Sequence, residues 1–188
     1  MQTRINWTIC IGCIGWIGCS PAAPTSAPPT TSASPYQSTP MIFPGLKSPP
    51  MKLAVEAGLA DDTPILGVVI DGKARAYSVP AMSKMNTHVV NDLVGDVPLT
   101  MTYCDRTDCV MALTSTKRGQ TLPIDVGGFD DGLLIREGTT FFHQKTLRPM
   151  QSDSTAKISG TPVGVERMSW KEWKQKHPET LVFVGAEK

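Results

Sequence analysis

Apolar residues along this chain come in short runs broken by turn residues, and few runs are long enough for a helix. The clearest is Ile65 to Ile70, a β-branched stretch that stops at Asp71-Gly72, after which Ala74, Ala76 and Ser78 alternate with larger residues. Asp-Gly supplies the two positive-φ positions of a type I′ turn, so this pattern predicts a β-hairpin. "HVVNDLV" (88–94) breaks at Gly95-Asp96, and "VPLTMTYC" (97–104) reads as a strand with Leu99, Met101 and Tyr103 on one face. "CVMALTST" (109–116) is a further strand across the loop "DRTD", while "PAMSKMN" (80–86) is short and helical or irregular. "GLLIREGTTFFHQ" (132–144) predicts a second hairpin with Glu137-Gly138 at its turn. "DVGGFDDG" (125–132) reads as a glycine-rich loop; its Asp125, Asp130 and Asp131 do not have calcium-loop spacing.

One segment carries a helix signature. Ser169 and Glu172 form a capping box, and Trp170 and Trp173 share a face. Lys174, Lys176 and His177 suit the negative end of the helix dipole, His177 being expected in solvent, and Pro178 stops the helix. "TLVFV" (180–184) closes the chain as a buried strand. Many short strands and one late helix predict an α+β domain, mainly antiparallel β, built as a barrel or a sandwich, with that helix C-terminal. No internal repeat is visible.

Upstream the pattern changes. Arg4 is followed by an uncharged apolar stretch from Trp7 to Gly18, shorter than the roughly 20 residues a bilayer requires. A short charged head, a short apolar segment and a small-residue end describe an export signal. Ile17-Gly18-Cys19 resembles a lipoprotein cleavage box, with Trp16 standing where leucine is usual. The resemblance implies cleavage before Cys19, a lipid on its thiol, and attachment to the cell envelope. Ser20 in place of an aspartate favours the outer membrane in a host that has one. Residues 20–50 hold nine of the 16 prolines and one charged residue, Lys47, the composition of an extended, disordered spacer. The expected organisation is a signal at 1–19, a linker at 20–50 and a single globular domain at 51–188.

A formal net charge of +1 lacks the basic stripe that phosphate neutralisation requires, so no nucleic-acid partner is expected. The expected partner is a membrane, reached through the lipid anchor; the sequence names no protein partner. Phosphate-loop, G-x-G-x-x-G, G-x-S-x-G and haem-attachment motifs are all missing. Cys10 and Cys13 fall in the signal, which leaves Cys104, Cys109 and three histidines to carry chemistry.

Three readings stand for "MTYCDRTDC" (101–109). An oxidising compartment and two flanking strands favour a Cys104–Cys109 disulfide, although closing so short a loop contributes only roughly 2 kcal/mol. Zinc or copper would want three or four nitrogen and sulfur ligands, for which His88, Cys104, Cys109 and His143 are candidates, with Met85, Met101, Met111 and Met150 as thioethers for Cu(I). Methionine at strand spacing is also ordinary core. In the third reading one cysteine is a catalytic nucleophile, with His88 or His143 as base, Asp105 or Asp108 nearby, and Arg106 lowering the thiol pKa.

Four motifs, "DGKARAY" (71–77), "HVVND" (88–92), "MTYC" (101–104) and "SWKEWKQKHPETLV" (169–182), in this order over roughly residues 65–184, resemble the bacterial domain-of-unknown-function family 3179. The resemblance implies an exported or membrane-attached protein and no established reaction. Many relatives follow "TYC" with Pro-Leu and need not have a cysteine matching Cys109, so it implies more than disulfide formation at Cys104. His88 falls in the family's H-x-x-N-D motif, which implies a shared His88–Cys104 site. Met150-Gln151-Ser152 stands where relatives show Trp-Ser-Gln, and any aromatic wall there is lost. The combined expectation is a metal-binding or redox-active envelope protein. The alternatives are a non-enzymatic binding module with a structural disulfide, and a thiol-dependent enzyme.

Overall fold

The computed structural model describes residues 41–185. The expected signal, the expected lipidation site Cys19 and the expected linker as far as residue 40 lie outside the described residues.

The elements, in chain order, are β1 (Leu46–Lys47), β2 (Met51–Leu53), β3 (Pro64–Ile70), β4 (Lys73–Ser78), α1 (Val79–Met82), β5 (Val89–Val94), β6 (Val97–Cys104) and β7 (Cys109–Thr114). They continue with β8 (Ile124–Phe129), β9 (Leu133–Glu137), β10 (Thr140–His143), β11 (Thr161–Val163), β12 (Glu166–Ser169), α2 (Trp170–Lys176) and β13 (Leu181–Phe183). They form three sheets, of order β1-β5-β6-β7-β11, β10-β9-β8 and β12-β3-β4-β13-β2. Pairing is antiparallel except at β1–β5 and β4–β13. The arrangement is sandwich-like, with no closed barrel among the described residues.

Strand alternation explains the layering. Odd-numbered residues of β6, Leu99, Met101 and Tyr103, join Leu66, Val68, Tyr77 and Phe183 of the β3–β4–β13 sheet in one core. Even-numbered Cys104 joins Ile124, Val126, Ile135 and Phe142 of the three-stranded sheet in another. The sheet containing β6 therefore lies between the other two, which is why every residue of β6 is buried. A third core forms where Ile65, Ala76 and Val182 meet Trp170 and Trp173 of α2. Gly67 has no side chain because the Trp173 ring occupies the space, with a ring carbon 2.4 Å from where a Cβ would lie.

Both locally signalled elements form as expected. Asp71 and Gly72 take φ of 48° and 74°, as a type I′ turn requires. The Ser169 hydroxyl accepts from Glu172 N while the Glu172 carboxylate accepts from Ser169 N. Elsewhere the structure differs. "DVGGFDDG" is not simply a loop, since Ile124–Phe129 is strand β8, with a register shift between Val126 and Gly128. Residues 43–47 take part in the fold although their composition reads as linker: Phe43 bridges Val126, and β1 pairs with β5. His177 is half-buried against Trp173, with ring centroids 4.2 Å apart, rather than solvated.

Candidate functional site

The two cysteines close the β6–β7 hairpin. Cys104 and Cys109 lie directly opposite in the antiparallel register, and both are free thiols. Opposed residues in such a pair have Cα atoms about 4.5–5.5 Å apart and side chains on the same face. That face looks toward the three-stranded sheet. Cys104 is fully buried there and Cys109 half-buried.

The loop between them is tied down at both ends. Asp108, at φ 51°, accepts from Arg167 Nη1 at 2.9 and 3.0 Å and from the Tyr103 hydroxyl at 2.9 Å, while its carbonyl accepts from Arg167 Nη2 at 2.6 Å. Arg167, then Tyr103, hold the Asp108 carboxyl below the ordinary carboxylate range. Burial, then the bond to Asp108, raise the Tyr103 hydroxyl above the usual phenol range. At the other end Asp105 Oδ1 lies 3.5 Å from Nε2 of His88. His88 is buried, and its Nδ1 lies 2.9 Å from the Met82 carbonyl. A carbonyl only accepts, so Nδ1 carries a proton and Nε2 faces the carboxylate. Phe129 stands edge-on to His88 at 5.8 Å, and Arg106 lies 5.3 Å from the Phe129 ring centre.

A cleft of about 610 Å³ opens beside Cys109, lined among others by Asp130, Asp131, His143, Gln144 and Lys145. Gln144 is almost fully buried. Its Nε2 donates to the Thr102 hydroxyl at 2.9 Å and to the Cys109 carbonyl at 3.2 Å. The Thr102 hydroxyl in turn donates to the Met111 carbonyl at 3.0 Å. Both partners of the Gln144 amide are therefore acceptors, which fixes its orientation and leaves the buried Oε1 unpartnered. Burial, then the neighbouring Cys104, push the Cys109 thiol above its usual range, against the smaller opposing pull of Lys145 and Arg167.

The sequence candidates are thus divided. His88, Cys104 and Cys109 gather at one end of the β6–β7 hairpin, but His143 lies in the cleft with Cys109, and His88 is not part of its lining. Among the described residues no three of His, Cys, Asp and Glu form a group able to hold a metal ion, so the zinc or copper set His88, Cys104, Cys109 and His143 is not assembled. The methionines do not complete it. Met101 packs on one side of its sheet and Met111 on the other, and Met85 and Met150 are exposed. Among the described residues neither thiol is hydrogen-bonded to a histidine, and Arg106 reaches Phe129. No disulfide joins Cys104 and Cys109; the register that would allow one is present.

Sequence reasoning missed Thr102, Gln144 and Lys145, and set Asp130 and Asp131 aside as loop acids. Their local pattern is unremarkable. They become a site only because the ends of β8 and β10 meet the end of the β6–β7 hairpin.

Fold and site together define a layered, β-rich α+β domain with a dithiol hairpin at the edge of a polar cleft. The chain belongs to the family described as Protein of unknown function (DUF3179), whose model matches residues 41–188. No curated protein and no solved structure matches it.

Proposed function

We propose that this is a thiol-redox domain of the cell envelope, exported and lipid-anchored through Cys19, in which Cys104 and Cys109 pass between dithiol and cross-strand disulfide. The observation that carries the reading is the pairing of the two free cysteines directly opposite each other, one buried and one at a cleft. Their expected Cα spacing falls within the roughly 4.4–6.8 Å that disulfides span. In the reducing direction the Cys109 thiolate attacks a sulfur of a bound disulfide, whose other half leaves as a thiolate and takes up the Cys109 proton. The Cys104 thiolate then attacks Cys109 Sγ and releases the second half, which takes up the Cys104 proton. One substrate disulfide becomes two thiols, and the protein pair becomes a disulfide, to be reduced again by an envelope dithiol. A thiol held above its usual pKa attacks slowly near neutrality and makes a stable disulfide, which suits a reductant rather than an oxidant.

The same raised thiol and the complete burial of Cys104 favour a second reading, a binding module in which the pair is a permanent structural disulfide. Equilibrating the full chain in glutathione buffers of graded potential, then counting thiols by alkylation and mass, separates the two. A midpoint between about −180 and −300 mV supports cycling; a pair still oxidised below about −300 mV supports the structural disulfide. Cys104 and Cys109 thiols that never pair, even in excess oxidised glutathione, would overturn both. Cys104→Ser and Cys109→Ser should abolish the midpoint.

A further inference from the structure

The cleft beside Cys109 also carries information about what enters it. Its amide Gln144 is almost fully buried and turns both N–H groups inward, to Thr102 and the Cys109 carbonyl. What it leaves over is a bare acceptor, Oε1, closed off from solvent in a residue that lines the cleft. A buried acceptor without a donor is unfavourable by itself, so a donor from the ligand would be strongly selected. On the same cleft, Asp130 and Asp131 have exposed side chains with no ion-pair partner among the described residues. The third carboxylate, Asp108, is already taken by Arg167 and Tyr103. Against these stands one cation, Lys145. Two free carboxylates, a thiol and an unsatisfied buried acceptor in the lining suit a donor-rich, positively charged group attached to sulfur.

We infer that the cleft binds a primary ammonium, and that the substrate of the Cys109 thiol is a disulfide bearing one. The substrate half of this inference rests on the redox reading above; the ammonium site does not. The Asp130–Asp131 pair holds the ammonium, Gln144 Oε1 becomes a further acceptor once its side chain turns toward the cleft, and the adjoining sulfur comes to Cys109. An anionic disulfide meets the same carboxylates and is repelled.

The test uses the full chain, reduced, at low ionic strength, with three small disulfides. Cystamine carries two ammonium groups, bis(2-hydroxyethyl) disulfide carries no charge, and dithiodiglycolate carries two carboxylates. Each rate is divided by the rate of the same disulfide with a free cysteine peptide, which removes intrinsic reactivity. The expected result is a normalised preference for cystamine over the neutral disulfide of about fivefold or more, with dithiodiglycolate slowest. The preference should fall toward one in Asp130→Asn/Asp131→Asn, whose exposed positions leave the core intact, and in high salt. A wild-type ratio of one, or a ratio unchanged in the double variant, overturns the inference while leaving redox cycling standing. Calorimetric binding of 1,4-diaminobutane reads the ammonium site without any thiol step. Binding lost in the double variant, with no exchange by any disulfide, would keep the site and remove the redox reading. No diamine binding by the wild type overturns the site.

Discussion

The two faces of strand β6 are built from one run of alternating residues, yet they do different things. Leu99, Met101 and Tyr103 meet the five-stranded β3–β4 sheet in a core that is mainly apolar; its polar contacts include the Tyr77 hydroxyl, which donates to Asp92 at 2.8 Å beside Arg75, and the Tyr103 hydroxyl, which donates to Asp108. Thr100, Thr102 and Cys104 face the smaller three-stranded sheet, and there polar groups are paired one by one. Thr100 donates to Asn91 Oδ1 at 2.6 Å, Asn91 donates to the Ile124 carbonyl at 2.8 Å, and Gln144 donates to Thr102. Burial without specific direction makes the first face stable. The second is held by directional bonds and leaves one acceptor over, so it specifies positions at some loss of packing. The dithiol and the cleft lie on the second face.

The sharpest way to break this contrast is to cut one residue from each side. Met101→Ala removes a fully buried side chain from the apolar core and should cost about 2–5 kcal/mol in urea unfolding, with little change in thiol reactivity. Asn91→Ala should cost less, about 1–3 kcal/mol, because the Ile124 carbonyl and Thr100 hydroxyl each lose a partner. It should nevertheless alter Cys109 alkylation more than Met101→Ala does, since it loosens the bond between β5 and the cleft-bearing sheet. If both variants changed alkylation equally, the division of labour between the faces would be wrong.

How far each face could be read from sequence follows the same line. The apolar face was legible because alternation is local, and Leu99, Met101 and Tyr103 fall into it at once. So were the Asp71-Gly72 turn and the Ser169 capping box, whose chemistry is complete within a few residues. Strand β8 was not, because glycines there signal a loop. Gly127 is required by a neighbour distant in sequence, a Phe141 ring carbon 2.8 Å from where its Cβ would lie, and Gly128, at φ 117°, follows the register shift. Gln144 gave no signal, since its role exists only once Thr102 and the Cys109 carbonyl come within reach. The cysteine pair lay between these cases. Its spacing left open disulfide, metal and nucleophile, and the register supplied the face and the opposition that spacing alone could not.

A smaller effect reports on the thiol itself. Cys109 is held above the ordinary thiol value of about 8.5, so its alkylation rate should climb about tenfold per pH unit and bend only above that value. Arg167→Leu removes one of the two cations that pull the thiol down, and should move the bend higher still. A bend below pH 8 would mean an activated nucleophile and would favour a thiol enzyme over either reading above.

The least effect is expected at the loop that carries Asp105 and Asp108. Asp108 has a depressed carboxyl in the folded protein, so its bond to Arg167 contributes fully above the unfolded carboxyl value of about 3.9 and is lost as pH falls through the lower folded value. The group is solvent-exposed, so the change should be local rather than global. Amide exchange across residues 105–109 at neutral pH should therefore be slow in the wild type and faster in Arg167→Leu. Denaturation midpoints of the two should barely differ. In strong acid the wild-type loop should come to resemble the variant. If the loop stayed protected without Arg167, Asp105 beside His88 would be the tether that matters. Cys109 would then be positioned from the buried side of the hairpin, through His88, and not from the exposed side through Arg167.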